Sequence, residues 1–203
     1  MQRAFYLAAL VGVLIAVLVT LTRNPEPEPG QQDGTIIETQ EPDMYGQGIS
    51  FHQLHEDGSL HYRLNAETIR QYEQDELTRM DIPHLHLRSK EQPPWDIYSQ
   101  SGFIRKRPGS DGIPEDIVFL REKVRMVQEH PTNGTVTLRS DTFYLYPDRQ
   151  FAETDQDVII DTEVGRTTAA GMVADLETGV MKLSSNPKQR VHTIVLPEQF
   201  KKS

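Results

Sequence analysis

The chain has 203 residues, no cysteine, and 30 acidic against 21 basic side chains, giving a formal net charge of -9. Disulfides, thiolate metal sites and cysteine nucleophiles are excluded. The acidic balance also argues against a nucleic-acid binder, which carries a basic face. Only 36% of the residues are hydrophobic, and many of these sit in one N-terminal run, so the rest suits a thin sheet better than a thick globule.

That run is AFYLAALVGVLIAVLVTLT, residues 4–22, and it carries no charge. As a helix rising about 1.5 Å per residue it spans roughly 28 Å, close to the hydrocarbon thickness of a bilayer. The rival reading is a cleaved signal peptide. Its charged region would be only MQR, and Thr20-Leu21-Thr22-Arg23 offers no small-x-small cleavage site. Residues 1–23 are therefore expected to be an uncleaved transmembrane anchor, with Arg3 favouring an inside amino terminus. NPEPEPGQQDG follows. Alternating Pro and Glu favour an extended, solvated spacer, so 24–44 is expected to be a linker.

From 45 to 196 short alternating runs recur between turn signals, the pattern of a sheet-only domain; 197–203 is a polar tail. GISFHQL and SLHYRLNA flank HEDG, a hairpin signal with Gly58 able to take positive φ. Within LHYRLNA, Tyr62, Leu64 and Ala66 share one face, while His61 and Arg63 are expected on the other. IPHLHLR places Leu85 and Leu87 together, with His84 and His86 opposite. Those histidines read as exposed polar positions, since no third ligand completes a metal set. WDIYSQSGFI is the next strand candidate. Arg105-Lys106-Arg107 is expected in a solvated loop. DIVFLREKVRMVQ and TVTLRSDTFYLY flank HPTNG, a tight-turn signal. DVIIDTEV and GVMKL follow as strands, and AAGMVADLE is read as strand in preference to a short helix. Ile97, Phe119, Phe143 and Ile159 are the expected inward positions of the later strands. A faint repeat links Leu64-x-Ala66-x-Thr68-Ile69-x-x-Tyr72 to Leu138-x-Ser140-x-Thr142-Phe143-x-x-Tyr146, as in a duplicated, stacked unit. No G-x-S-x-G, S-x-x-K or P-loop is present, so no enzyme activity is expected.

Taken together, the chain resembles the LptC family, the single-span inner-membrane component of the lipopolysaccharide export machinery of Gram-negative bacteria. The resemblance rests on the short span and polar linker, then DGSLHYRLNAE (57–67), PPWDIYSQSG (93–102), FLREKVRMV (119–127), TFYLYPDRQFAETDQDVII (142–160) and GMVADLETGVMKL (171–183). One departure is visible. Glu122-Lys123-Val124 stands where the family usually has a glycine before the valine, which weakens any expectation of a bulge there.

The resemblance implies an all-β open jellyroll of stacked antiparallel strands, preceded by one transmembrane helix. It implies a non-enzymatic protein, without cofactor, whose soluble domain is periplasmic and whose amino terminus is cytoplasmic. Its partners would be lipopolysaccharide, the LptF and LptG subunits of the inner-membrane ABC transporter, and LptA at the C-terminal sheet edge. Tyr62, Leu64, Ala66, Ile97, Phe119, Phe143 and Ile159 would then meet lipid. Ile49 and Phe51 would face the transporter, and Gly171, Val180, Met181 and Leu183 would receive LptA. An alternative stays open: an anchored interaction scaffold whose alternating faces are simply core.

Overall fold

The computed structural model describes residues 41–196, apart from 56, 90–91, 109–113 and 133. The anchor over 4–22, most of the linker and the tail over 197–203 lie outside the described residues. Among the described residues the only helical element is one 3-10 turn, Pro147–Arg149, so no helix is long and apolar enough to cross a membrane.

The strands are β1 (Met44–Leu54), β2 (Leu60–Tyr72), β3 (Leu77–Asp81), β4 (His84–Leu87), β5 (Trp95–Tyr98), β6 (Ser101–Pro108) and β7 (Pro114–His130). They continue with β8 (Gly134–Tyr146), β9 (Phe151–Thr154), β10 (Val158–Thr162), β11 (Gly165–Ala169), β12 (Gly171–Asp175), β13 (Val180–Ser184) and β14 (His192–Val195). Among the described residues all pair antiparallel in one 14-stranded sheet. Within 169–177 the chain is strand and not helix at Gly171–Asp175 (β12), with a bend at 170 and a turn from 176. Arg105-Lys106-Arg107 lies in β6 and not in a loop, paired with Ile117, Asp116 and Glu115 of β7.

The pairing describes a meander folded along one crease. The first half of β2 pairs with β4 and its second half with β3. β7 pairs first with β6 and then with β5, and β8 pairs first with β10 and then with β9. β3–β4, β5–β6, β9–β10 and β11–β12 are therefore single passes interrupted where they cross the crease. One leaf holds the start of β2, β4, β5, the end of β7, the start of β8, β10, β11 and β14. The other holds the end of β2, β3, β6, the start of β7, the end of β8, β9, β12 and β13.

Backbone irregularities mark the crease. Glu122 and Lys123 have φ of 66° and 58°, and the β7–β8 register shifts between Arg121 and Val124. A bulge adds a residue to one strand and bends it. The bulge is present although neither residue is glycine, and the two exposed side chains point away from the core. Gly48 of β1, φ 59°, sits at the same level between Gln47↔Thr68 and Ile49↔Ala66. There the left-handed backbone carries no steric cost.

Between the leaves lies one apolar cluster. Tyr62, Leu85, Trp95, Ile97 and Met126 come from the first leaf; Met80, Leu120, Phe143, Leu145 and Met172 come from the second. Each of these is at most 2% exposed.

Candidate functional site

The interior between the leaves gathers Tyr62, Leu64, Ala66, Ile97 and Phe143, all buried. Phe119 and Ile159 do not join them. Phe119 is only half-buried and stacks on the outer face between Phe103 and Tyr144, at 6.4 and 4.6 Å between ring centroids. Ile159 is 36% exposed, while Val158 and Ile160 beside it are buried. The correction is one residue of register in each case, because strand side chains alternate faces. Val118, Leu120, Val158 and Ile160 are the inward residues.

His61 also departs from expectation. It is buried, 6% exposed, and its Nε2 lies 3.1 Å from the carbonyl oxygen of Pro147. Its ring stacks on His55 at 4.2 Å. Burial, reinforced by His55, holds the His61 pKa below 6.5, while Asp148 and the Pro147 carbonyl oppose the shift. The neighbouring Tyr62 hydroxyl reaches Asp116 Oδ2 at 3.4 Å. Burial, then Asp116 and Asp148, push the Tyr62 hydroxyl pKa upward. Burial also raises the Asp116 carboxyl, and Asp148 adds to the shift against Lys106. Gln150 Nε2 donates to the carbonyl of Arg88 at 3.1 Å.

These contacts share one location. His61, Tyr62 and Arg88 end strands of the first leaf; Asp116, Pro147 and Gln150 belong to the free ends of the second. The leaves thus meet along a mouth opposite the crease.

The two lateral edges differ from the interior. Among the described residues β1 pairs only with β2, and Phe51, 47% exposed, tilts against Tyr62 at 6.1 Å. Ile49 is half-buried opposite Ala66. At the far end, among the described residues, β13 pairs only with β12 and β14 only with β11. Val180 is exposed, while Met181 and Leu183 pack against the core. Gly171 is not on this edge. It lies in β12, between β9 and β13, where an added Cβ would stand 2.6 Å from Ser184 Oγ and 3.0 Å from the Thr154 carbonyl.

On the outer face His84 Nε2 and His86 Nδ1 share Asp96 Oδ1 at 2.8 and 3.0 Å. Hydrogen bonds and charge from these histidines outweigh burial and leave the Asp96 pKa lowered. Among the described residues no group of three or more His, Cys, Asp or Glu is arranged to hold a metal ion.

No curated protein sequence matches the chain. A solved structure, LptH from Pseudomonas aeruginosa, is similar in fold. It is described as the LptA-homologous periplasmic component of the conserved lipopolysaccharide transport device. The TM-score is 0.53 at 10% sequence identity, over 67% of this chain and 95% of that one. The family described as "Lipopolysaccharide-assembly, LptC-related" matches residues 7–192. The chain therefore belongs to the LptC-related family and has a role in lipopolysaccharide transport.

Proposed function

We propose that the protein is a non-enzymatic carrier that holds the acyl chains of lipopolysaccharide between its two leaves. It receives the lipid from the inner-membrane transporter through LptF and LptG at the β1 edge and passes it to LptA at the β13 edge. The supporting observation is the apolar interior bounded laterally by two strand edges, β1 and β13–β14, with unpaired outer sides among the described residues. Unpaired strand edges accept a further strand, which would join one interior to the next. Burying a CH₂ group gains about 0.8 kcal/mol, so a multi-chain lipid needs continuous apolar cover. Anchoring in the inner membrane through 4–22 would keep the carrier beside the transporter, with its soluble domain in the periplasm.

The closed packing favours a second reading, in which the domain is an interaction scaffold and the interior only its core. A photo-crosslinking residue at Leu64 or Phe143 separates the two. The carrier predicts capture of lipopolysaccharide during ATP-driven extraction, with little capture from Arg63 or Ile159 on the outer face. Equal capture on both faces, or none in a protein that still assembles with its partners, rejects the carrier.

A further inference from the structure

We infer that the mouth opposite the crease is a latch, and that Tyr62–Asp116, His61–Pro147 and Gln150–Arg88 are the contacts that a lipid head group must part. The inference rests on the carrier reading and adds how the interior is reached.

Three observations carry it. First, the interior is filled: Trp95, Phe143, Ile97 and Met126 are no more than 1% exposed. An acyl chain has no room unless the leaves separate. Second, the geometry makes the mouth the side where they separate. β2, β7 and β8 run unbroken through the crease, so that side is held by backbone. The named contacts across the mouth are made by side chains: one side chain to side chain, two side chain to carbonyl.

Third, the closure is imperfect, although the Pro147 and Arg88 carbonyls accept at an ordinary 3.1 Å. The Tyr62–Asp116 bond is long at 3.4 Å, near the limit for an effective hydrogen bond. Gln150 Oε1 is buried with no hydrogen-bond partner among the described residues, a position that disfavours the closed state. Asp116 is held beside Asp148 with its proton affinity raised by burial.

An amphiphile supplies the reason for opening. Its chains gain by lying between the leaves, while its polar head cannot leave water without large desolvation cost. The junction between them must cross the boundary of the interior, and the mouth is the boundary that runs from one lateral edge toward the other. A lipid sliding along the interior therefore drags its head group through the latch.

The absence of cysteine permits a direct test in full-length protein within its membrane complex. Two locks are made: Arg88→Cys with Gln150→Cys, and Tyr62→Cys with Asp116→Cys. Each is joined by a short, cleavable bismaleimide and compared with a long flexible one. Either short lock is expected to cut lipopolysaccharide transfer at least tenfold while capture of LptA is unchanged, and cleavage is expected to restore transfer. The long linker is expected to leave transfer near the unlinked rate. Tyr62 and Gln150 are both buried, so each double-cysteine protein is first shown, unlinked, to keep its unfolding midpoint and its transfer rate. Unchanged transfer under both short locks overturns the latch and leaves the carrier standing. Loss of LptA capture on locking also overturns it. If unlinked protein captures no lipid at Leu64 or Phe143, the carrier reading fails and the latch with it.

Discussion

His61 carries the pH signature of the mouth. Its folded pKa is lowered, chiefly by burial, while an unfolded histidine titrates near 6.5. Below that value the unfolded chain binds a proton that the folded one excludes. The contribution of His61 to stability is complete above about pH 6.5 and declines as the pH falls below it. Thermal unfolding should therefore drop between about pH 7.5 and 5.5, and His61→Gln should flatten that drop. Asp116 works with the opposite sign. Its raised pKa means that the folded state binds the proton more readily, so charge on Asp116 weakens the fold at neutral pH. Asp116→Asn should raise the melting temperature at about pH 7.5 and leave it nearly unchanged close to pH 4. A melting temperature lowered at neutral pH would show that pairing with Lys106 outweighs burial. Neither effect was legible in the sequence. His61 sits in a clean alternating run, and the carbonyl that its buried ring meets belongs to Pro147, 86 positions away. Local periodicity carries no information about such a partner. The same run did place Tyr62, Leu64 and Ala66 correctly on one face, because that depends only on alternation.

The element that most constrains the fold is the strand that bends without ending. The faint repeat falls on β2 and β8, each 13 residues long and each crossing the crease. In both copies the inward positions are three apart at the bend, Ala66 to Ile69 and Ser140 to Phe143, where a flat strand would give two. The repeat is thus the imprint of a change of face at the crease. The bulge in β7 was harder to foresee, since Glu122 and Lys123 adopt a left-handed conformation that bulky residues seldom take. The same element scale separates two C-terminal substitutions. Gly171→Arg places a side chain against the Thr154 carbonyl and Ser184; overpacking of this kind costs about 1–3 kcal/mol. Denaturant unfolding should register that loss, and any loss of LptA capture would follow from it. Val180→Lys, on the exposed edge strand, should change stability by less than about 0.5 kcal/mol. A lysine there blunts an edge for strand addition, so LptA capture should weaken while the unfolding midpoint holds. Normal capture by Val180→Lys would remove β13 from the interface.

At the scale of the whole molecule, turn signals and alternation were enough to indicate a sheet-only domain over 45–196, because each strand's pattern is local. The folding of that sheet into two leaves was not legible from them. It depends on pairing across the crease and on contacts such as Tyr62–Asp116, 54 positions apart. Those long-range contacts also decide how the molecule should respond to lipid. The β7–β8 ladder runs through the crease from Val118↔Leu145 to His130↔Gly134, and ladders buried in the middle of a sheet open last. The mouth is held by the few side-chain contacts named above, so it belongs to the low-stability end. Lipid loading should therefore raise amide hydrogen exchange at 60–62, 115–116 and 148–150. Exchange at 124–128 and 136–140 should remain slow. The comparison is between full-length protein with and without lipopolysaccharide bound, followed by peptide-level hydrogen exchange. Uniform protection of both regions on loading would mean that lipid sits on a surface and the leaves never part. Faster exchange in the β7–β8 ladder itself would mean that the sheet unzips between strands, and the crease would then not be the axis about which the molecule opens.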